Sequence, residues 1–172
     1  MNAFQDMTRE QLLQVAEMFA KNWLAHDGCW FLATEEAQGM DAAMELDRQA
    51  WERFAAAEAR RIKLFAELGD SGGLEALEKA LNLRMYAMLN KQHTEWSDDR
   101  GTLRFFMDSC RVHTARERKG LPRFPCKAIG ETEFPTFART IDPRIETRCL
   151  RCPPDAPEGV YCGWEFVLSA DI

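Results

Sequence analysis

No stretch of this chain approaches the roughly 20 consecutive apolar residues that a membrane-spanning helix needs, so no membrane partner is expected. The opening residues, Met1-Asn2-Ala3-Phe4-Gln5-Asp6, lack the basic stretch and apolar core of an export signal, which points to the cytoplasm. Excess positive charge is missing too. Against 22 Lys and Arg stand 28 Asp and Glu, a net charge of −6. Nucleic-acid binders usually carry a basic field, so nucleic acid is not an expected partner either. There is no glycine-rich phosphate loop, no HExxH, no GxSxG and no dinucleotide-binding fingerprint, which removes several large enzyme classes. Internal repeats and low-complexity segments are likewise absent.

What is present is an ordinary globular composition, 46% apolar and 29% charged, in a 172-residue chain long enough for one proper core. Residues 8 to about 95 read as helix. Thr8 followed by Gln11 fits a capping box, and Leu12, Val15, Ala16, Phe19 and Trp23 recur at helical steps on one face. Gly39 reads as a stop and Asp41 as the next N-cap. A second helix, about Asp41 to Leu68, has Met44, Trp51, Phe54, Ile62, Phe65 and Leu68 inward, and Gly69 ends it. Leu74, Leu77, Leu81, Met85 and Met88 mark a third helix. The polar run 97–101 is the clearest boundary.

Beyond it the period changes to two. Leu103, Phe105 and Met107 alternate with Thr102, Arg104 and Phe106 as in a strand packed mainly on one face, a short helix follows from Ser109 to Gly120, and 121–144 reads as proline-broken and irregular. Two further alternating segments start at Ile145 and Cys162. The expected fold class is α+β: a helical layer of about three long helices (1–97) on a small antiparallel β-sheet with a short helix in a cysteine-rich part (98–172), the two forming one folded unit.

Six cysteines without an export signal suggest a reducing compartment, where clustered thiols more often bind metal than pair as disulfides. Cys149 and Cys152 sit at the end of one expected strand, and Cys162 opens the next. A hairpin of those strands gathers all three, and Cys126, in a proline-rich segment, is free to join them. Four thiolates suit zinc, and also suit an iron–sulfur cluster. The plainer alternative is that these cysteines are buried and unmetallated.

Two other groups are candidates for chemistry. Cys110 falls where a strand hands over to a helix, with Arg111 and His113 beside it. Amides at a helix start stabilise thiolate, so Cys110 is the candidate nucleophile and His113 its acid/base partner, against the alternative of a small buried cysteine. Trp23, His26, Asp27 and Trp30 lie close on one helix and could wall a small-molecule pocket, against the alternative that the indoles are core. His93 reads as a helix-terminal residue, and the basic run Arg116, Arg118, Lys119 and Arg123 as a solvated face.

The Lys119-Gly120-Leu121-Pro122 to Pro125-Cys126-Lys127 segment, Asp142-Pro143-Arg144-Ile145 through Thr147-Arg148-Cys149, Cys152-Pro153-Pro154-Asp155 and Cys162-Gly163-Trp164-Glu165-Phe166 resemble a poorly characterised family of bacterial cytosolic proteins found mainly in anaerobes. With the helical Trp23 to Phe31 and Trp51 to Ile62 segments, the resemblance covers most of the chain. More distantly the sequence resembles the L-2-amino-thiazoline-4-carboxylic acid hydrolase family, through Cys110, Cys126 and Cys162-x-x-x-Phe166. That resemblance implies a helical layer over a small sheet and C–N hydrolysis of a small cyclic or amidine-like substrate. Cys149 and Cys152 are additions to that pattern, and Gly163-Trp164 stands where an Asp is expected. Three functions therefore stand side by side: a hydrolase-like enzyme, a ligand-sensing or interaction domain with a structural metal site, and an iron–sulfur or redox protein. A small-molecule ligand is the expected partner, and a homo-oligomer is compatible with the sequence.

Overall fold

The computed structural model describes residues 3–169. In it the chain is α+β, with long N-terminal helices and a four-stranded antiparallel sheet. Helix α1 (Arg9–Gln38) starts at the capping box read from the sequence: the Gln11 amide N–H donates to Thr8 Oγ1 at 3.2 Å, and the Thr8 N–H donates back to the Gln11 side chain at 2.9 Å. Gly39, at φ 87°, turns the chain directly into α2 (Met40–Phe65), a left-handed position that a side chain would strain. Helix α3 (Gly73–Leu83) breaks at Arg84, whose extended ψ of 149° separates it from the one-turn α4 (Met85–Leu89).

The residues after α4 correct the sequence reading. Residues 91–95, expected to end the third helix, belong to strand β1 (Lys91–Trp96), which pairs antiparallel with β2 (Thr102–Ser109). β1 is an edge strand with alternating exposure, and its half-buried Thr94 and Trp96 donate to Glu78 on α3 at 2.6 and 3.1 Å. His93 is therefore a strand residue paired with Asp108 at 2.8 Å, not a helix terminus. The short α5 (Arg111–Arg118) lies where expected. The segment 121–144, expected to be irregular, contains α6 (Lys127–Ile141). Pro135 removes one amide from that helix, but burial of Ile129, Phe134, Phe137, Ala138 and Ile141 on one face outweighs the lost hydrogen bond. Strands β3 (Ile145–Arg151) and β4 (Gly163–Leu168) complete a sheet of order β1-β2-β4-β3.

The main core takes Ala55, Ala59 and Ile62 from α2, Leu77 and Leu81 from α3, Leu103 and Phe105 from β2, Phe134 and Phe137 from α6, and Trp164 and Phe166 from β4. Gly130 on α6 lets the helix approach Trp164: a Cβ there would meet the indole at 2.5 Å. Trp164 also stacks on Phe134 with centroids 4.7 Å apart, so the ring has little freedom to move. Gly130→Ala should therefore lower stability by about 1–3 kcal/mol in urea denaturation, despite alanine's better helix propensity. A gain in stability would show that the contact yields.

Two helix faces differ from the expectation. Helix α1 has one fully buried residue, Ala20, while Leu12 and Phe19, expected inward, are exposed. Phe65, expected on the inner face of α2, is 80% exposed. Among the described residues no helix is long and apolar enough to cross a membrane.

Candidate metal centre and cavity

The β3–β4 hairpin forms as expected and brings Cys152, just past β3, opposite Cys162, just before β4. Cys126 arrives from the third direction as the residue that opens α6. Local bonds hold this corner. The Lys127 amide donates to the Pro153 carbonyl at 2.9 Å, Lys127 Nζ pairs with Asp155 at 2.6 Å, and Met107 N–H donates to the Cys162 carbonyl at 2.9 Å. Arg123 donates to the carbonyls of Ala156 and Val160, clamping the loop between the two hairpin cysteines. The sulfurs of Cys126, Cys152 and Cys162 lie within 4.8 Å of one another, close enough to hold a metal ion.

Cys149 is not part of this cluster, which corrects the expected set of four. It sits inside the β3 ladder opposite Trp164, three residues before Cys152. Strand rise of about 3.3 Å per residue separates two such positions too far for one ion. Its side chain packs instead against the core. A different residue stands beside the cluster: His113 Nε2 is 3.8 Å from Cys126 Sγ, and the ring is almost fully buried.

The thiols are strongly coupled. Cys152 and Cys162 both lie within hydrogen-bonding reach of Cys126, at 3.6 and 3.8 Å, and this stabilises Cys126 as thiolate, well below the usual thiol range. The same contacts push Cys152 and Cys162 up, with burial adding to it. Three thiols this close form a donor set matched to a soft or borderline cation.

Above the cluster lies a cavity of about 400 Å³ between α1, α2 and α4 on one side and β2, α5 and α6 on the other. Cys126, Cys162 and His113 line its floor, so the candidate metal centre and the cavity share residues. The remaining wall is mainly apolar, with Phe31, Trp51, Tyr86, Phe105 and Met107. Of the four residues read as pocket wall, Asp27 lines the cavity. Trp23 instead stacks on Phe54 at 5.3 Å and packs against Trp51 and Tyr86, and His26 and Trp30 are exposed. Cys110 also lines the cavity, but burial pushes its thiol up to about 11, outweighing the nearby amides of His113 and Val112 that pull it down. The activation expected from a helix start is therefore overridden by desolvation. The basic run is not a solvated face throughout: Arg116 is buried and grips Glu35 of α1 with two bonds of 2.8 and 3.0 Å.

Several charged residues of the cavity went unnoticed in the sequence. Arg84, buried, donates through Nε to Glu58 at 2.9 Å and through Nη2 to Glu133 at 2.6 Å, with its guanidinium 4.6 Å from the centre of the Phe137 ring. Burial opposes the Arg84 charge, but Glu133 and Glu58 hold it firmly protonated. Asp47 faces the same cavity. Burial, then the charges of Asp27 and Glu133, push its carboxyl up to about 7, with the Trp51 side chain pulling back. Burial also raises Asp27, against the pull of His26. Helical spacing was the missed signal: Asp47 lies between Met44 and Trp51 on the inward face of α2, and Glu58 follows Trp51 by seven.

A carboxyl raised on folding costs stability once the unfolded chain ionises while the folded carboxyl still holds its proton, so this penalty is absent below about pH 4, grows up to about pH 7 and is complete above it. Asp47→Asn should therefore stabilise the protein by roughly 1–3 kcal/mol at pH 8 and leave it unchanged at pH 4 in denaturant titrations. Equal effects at the two pH values would contradict this reading of Asp47.

A family model described as a family of unknown function, DUF6125, matches residues 5–168, and the chain belongs to that family. No curated protein matches the chain.

Proposed function

For a member of that family we propose a small-molecule-binding role, in which one zinc ion held by Cys126, Cys152 and Cys162 builds the floor of the cavity. The observation that carries this reading is the overlap of the two features: Cys126 and Cys162 belong to the thiol cluster and line the cavity together. Zinc suits a buried set of thiolates without demanding redox chemistry. Pockets of this size with mainly apolar walls and a few convergent polar groups are the usual form of small-ligand sites. The polar groups here are the Asp27 and Asp47 carboxyls, the Tyr86 hydroxyl and the Arg84–Glu133 pair.

Gly28 offers the experiment. It sits within α1, lines the cavity, and an added Cβ would have open space around it. Gly28→Ala should stabilise by about 0.5–1 kcal/mol through helix propensity. Gly28→Phe should fill the cavity and abolish the fluorescence enhancement of an apolar dye such as anilinonaphthalene sulfonate, while leaving the fold and the metal intact. Unchanged dye binding in Gly28→Phe would place the ligand elsewhere. Purified protein that is brown, with sulfur-to-iron absorption, would replace zinc with an iron–sulfur centre.

A second reading, C–N hydrolysis of the bound molecule, draws support from the distant hydrolase resemblance and from Asp47. A carboxyl poised near neutrality in an enclosed apolar site is suited to acid/base work. Under this reading Asp47, rather than His113, moves the proton.

A further inference from the structure

We propose that His113 is the fourth ligand of the metal, making a closed site of Cys126, Cys152, Cys162 and His113 in which Cys149 has no part. The inference rests on the metal reading above and deepens it.

Around an ion with metal–sulfur bonds of about 2.3 Å, tetrahedral geometry sets sulfur–sulfur edges of about 3.8 Å, and a metal–nitrogen bond of about 2.0–2.1 Å sets a sulfur–nitrogen edge of about 3.6 Å. The Cys126 sulfur sits 3.6 Å from Cys152, 3.8 Å from Cys162 and 3.8 Å from His113 Nε2. All three edges that meet at Cys126 thus have the lengths a shared tetrahedral ion requires, while His113 stands outside the 4.8 Å cluster of the three sulfurs and completes the set by closing on Cys152 and Cys162 as the ion binds. The Cys152–Cys162 edge is 2.8 Å, and binding an ion there parts these two sulfurs by about 1 Å. They lie on either side of the hairpin loop, where such an opening is absorbed by two strand ends rather than by a helix.

The imidazole is held beside the cluster by its surroundings. It is 2% exposed and lies on α5, which Arg116 pins through Glu35 of α1 and the Pro122 carbonyl at 2.8 Å. The Tyr161 side chain packs against the ring at 5.5 Å between centroids. Three cysteines and one histidine form a structural zinc set, closed to solvent ligands. Three of these four ligands also line the cavity, so the ion ties α5, the start of α6 and the start of β4 into one wall. The ion then shapes the binding site and leaves no coordination position for a substrate.

X-ray absorption at the zinc edge of the purified full-length chain tests this. The expected first shell is three sulfurs and one nitrogen. Cys149→Ser should leave that shell unchanged. His113→Cys, which keeps a ligand at the position, should retain the ion and convert the shell to four sulfurs. A four-sulfur shell in the wild type that falls to three in Cys149→Ser would overturn the assignment while leaving the metal centre itself in place. A wild-type shell of three sulfurs and one oxygen, unchanged by His113→Ala, would overturn it as well. A chain that takes up no zinc even on reconstitution with zinc alone would remove both this assignment and the reading it rests on.

Discussion

Arg84→Ala is expected to destabilise the protein by about 3–5 kcal/mol, because it strands two carboxylates that the fold has taken out of water. Glu58 and Glu133 are each about nine-tenths buried and both accept from this one guanidinium, at 2.9 and 2.6 Å. Burial already raises the Glu133 carboxyl even with Arg84 in place, so removing the cation leaves its ionised form still more disfavoured. Urea denaturation at pH 7 measures the loss, and for a chain of this size it corresponds to a drop in thermal midpoint of about 10 °C. Replacing the triad as a unit, with Arg84→Met, Glu58→Leu and Glu133→Leu, should cost far less than the single change, since no unpaired charge remains. If the single and triple variants lose stability equally, the penalty comes from packing and not from the stranded charges.

The second large effect concerns the metal. The loop from Cys152 to Cys162 has no regular structure and is held by the burial of Cys152, Pro153 and Ala156, by Arg123, by the Lys127–Asp155 pair and by a few backbone bonds. A ligand that binds only the folded form stabilises it by about 4 kcal/mol at a thousand times its dissociation constant. If the proposed zinc fills the site, a strong chelator should lower the thermal midpoint by roughly 10 °C, and added zinc should restore it. Hydrogen exchange should show the loss concentrated in α5, the start of α6 and the β3–β4 hairpin, with α2 and α3 little affected. A midpoint indifferent to chelator would mean that the thiols are ordinary buried side chains.

The parts of the fold that were legible in the sequence are those where one physical signal dominates. The Thr8–Gln11 box, the glycine at 39 and the alternation in β2, β3 and β4 each report a local backbone preference, and each stands where it was read. β1 was hidden because an edge strand needs little apolar alternation. Lys91-Gln92-His93-Thr94-Glu95 is polar, and its pairing with β2 and with Glu78 is a long-range event. Helix α6 was hidden by Pro125 and Pro135, strong local breakers that tertiary burial of Phe134, Phe137 and Ile141 overrides.

The candidate site was half visible for the same reason. The hairpin placed Cys152 and Cys162, since strand pairing follows from alternation. Sequence nearness also suggested Cys149, but the ladder fixes it opposite Trp164, away from the cluster. His113 was noticed as a partner for Cys110, whereas in three dimensions its Nε2 stands beside Cys126. The buried Arg84, Glu58 and Glu133 and the half-buried, cavity-facing Asp47 were overlooked because charged side chains carry no apolar signal, although the helical spacing of Asp47 and Glu58 placed them on the inward face of α2.

Elemental analysis of protein purified without chelator, compared between the wild type and Cys152→Ser, bears most directly on the proposed zinc centre. Cys152 is fully buried and belongs to the sulfur cluster, and serine keeps its size while removing the thiolate. One zinc per chain in the wild type, with most of it lost in Cys152→Ser and retained in Cys149→Ser, is the expected result. Wild-type protein free of zinc, or zinc retained in full by Cys152→Ser, would contradict it.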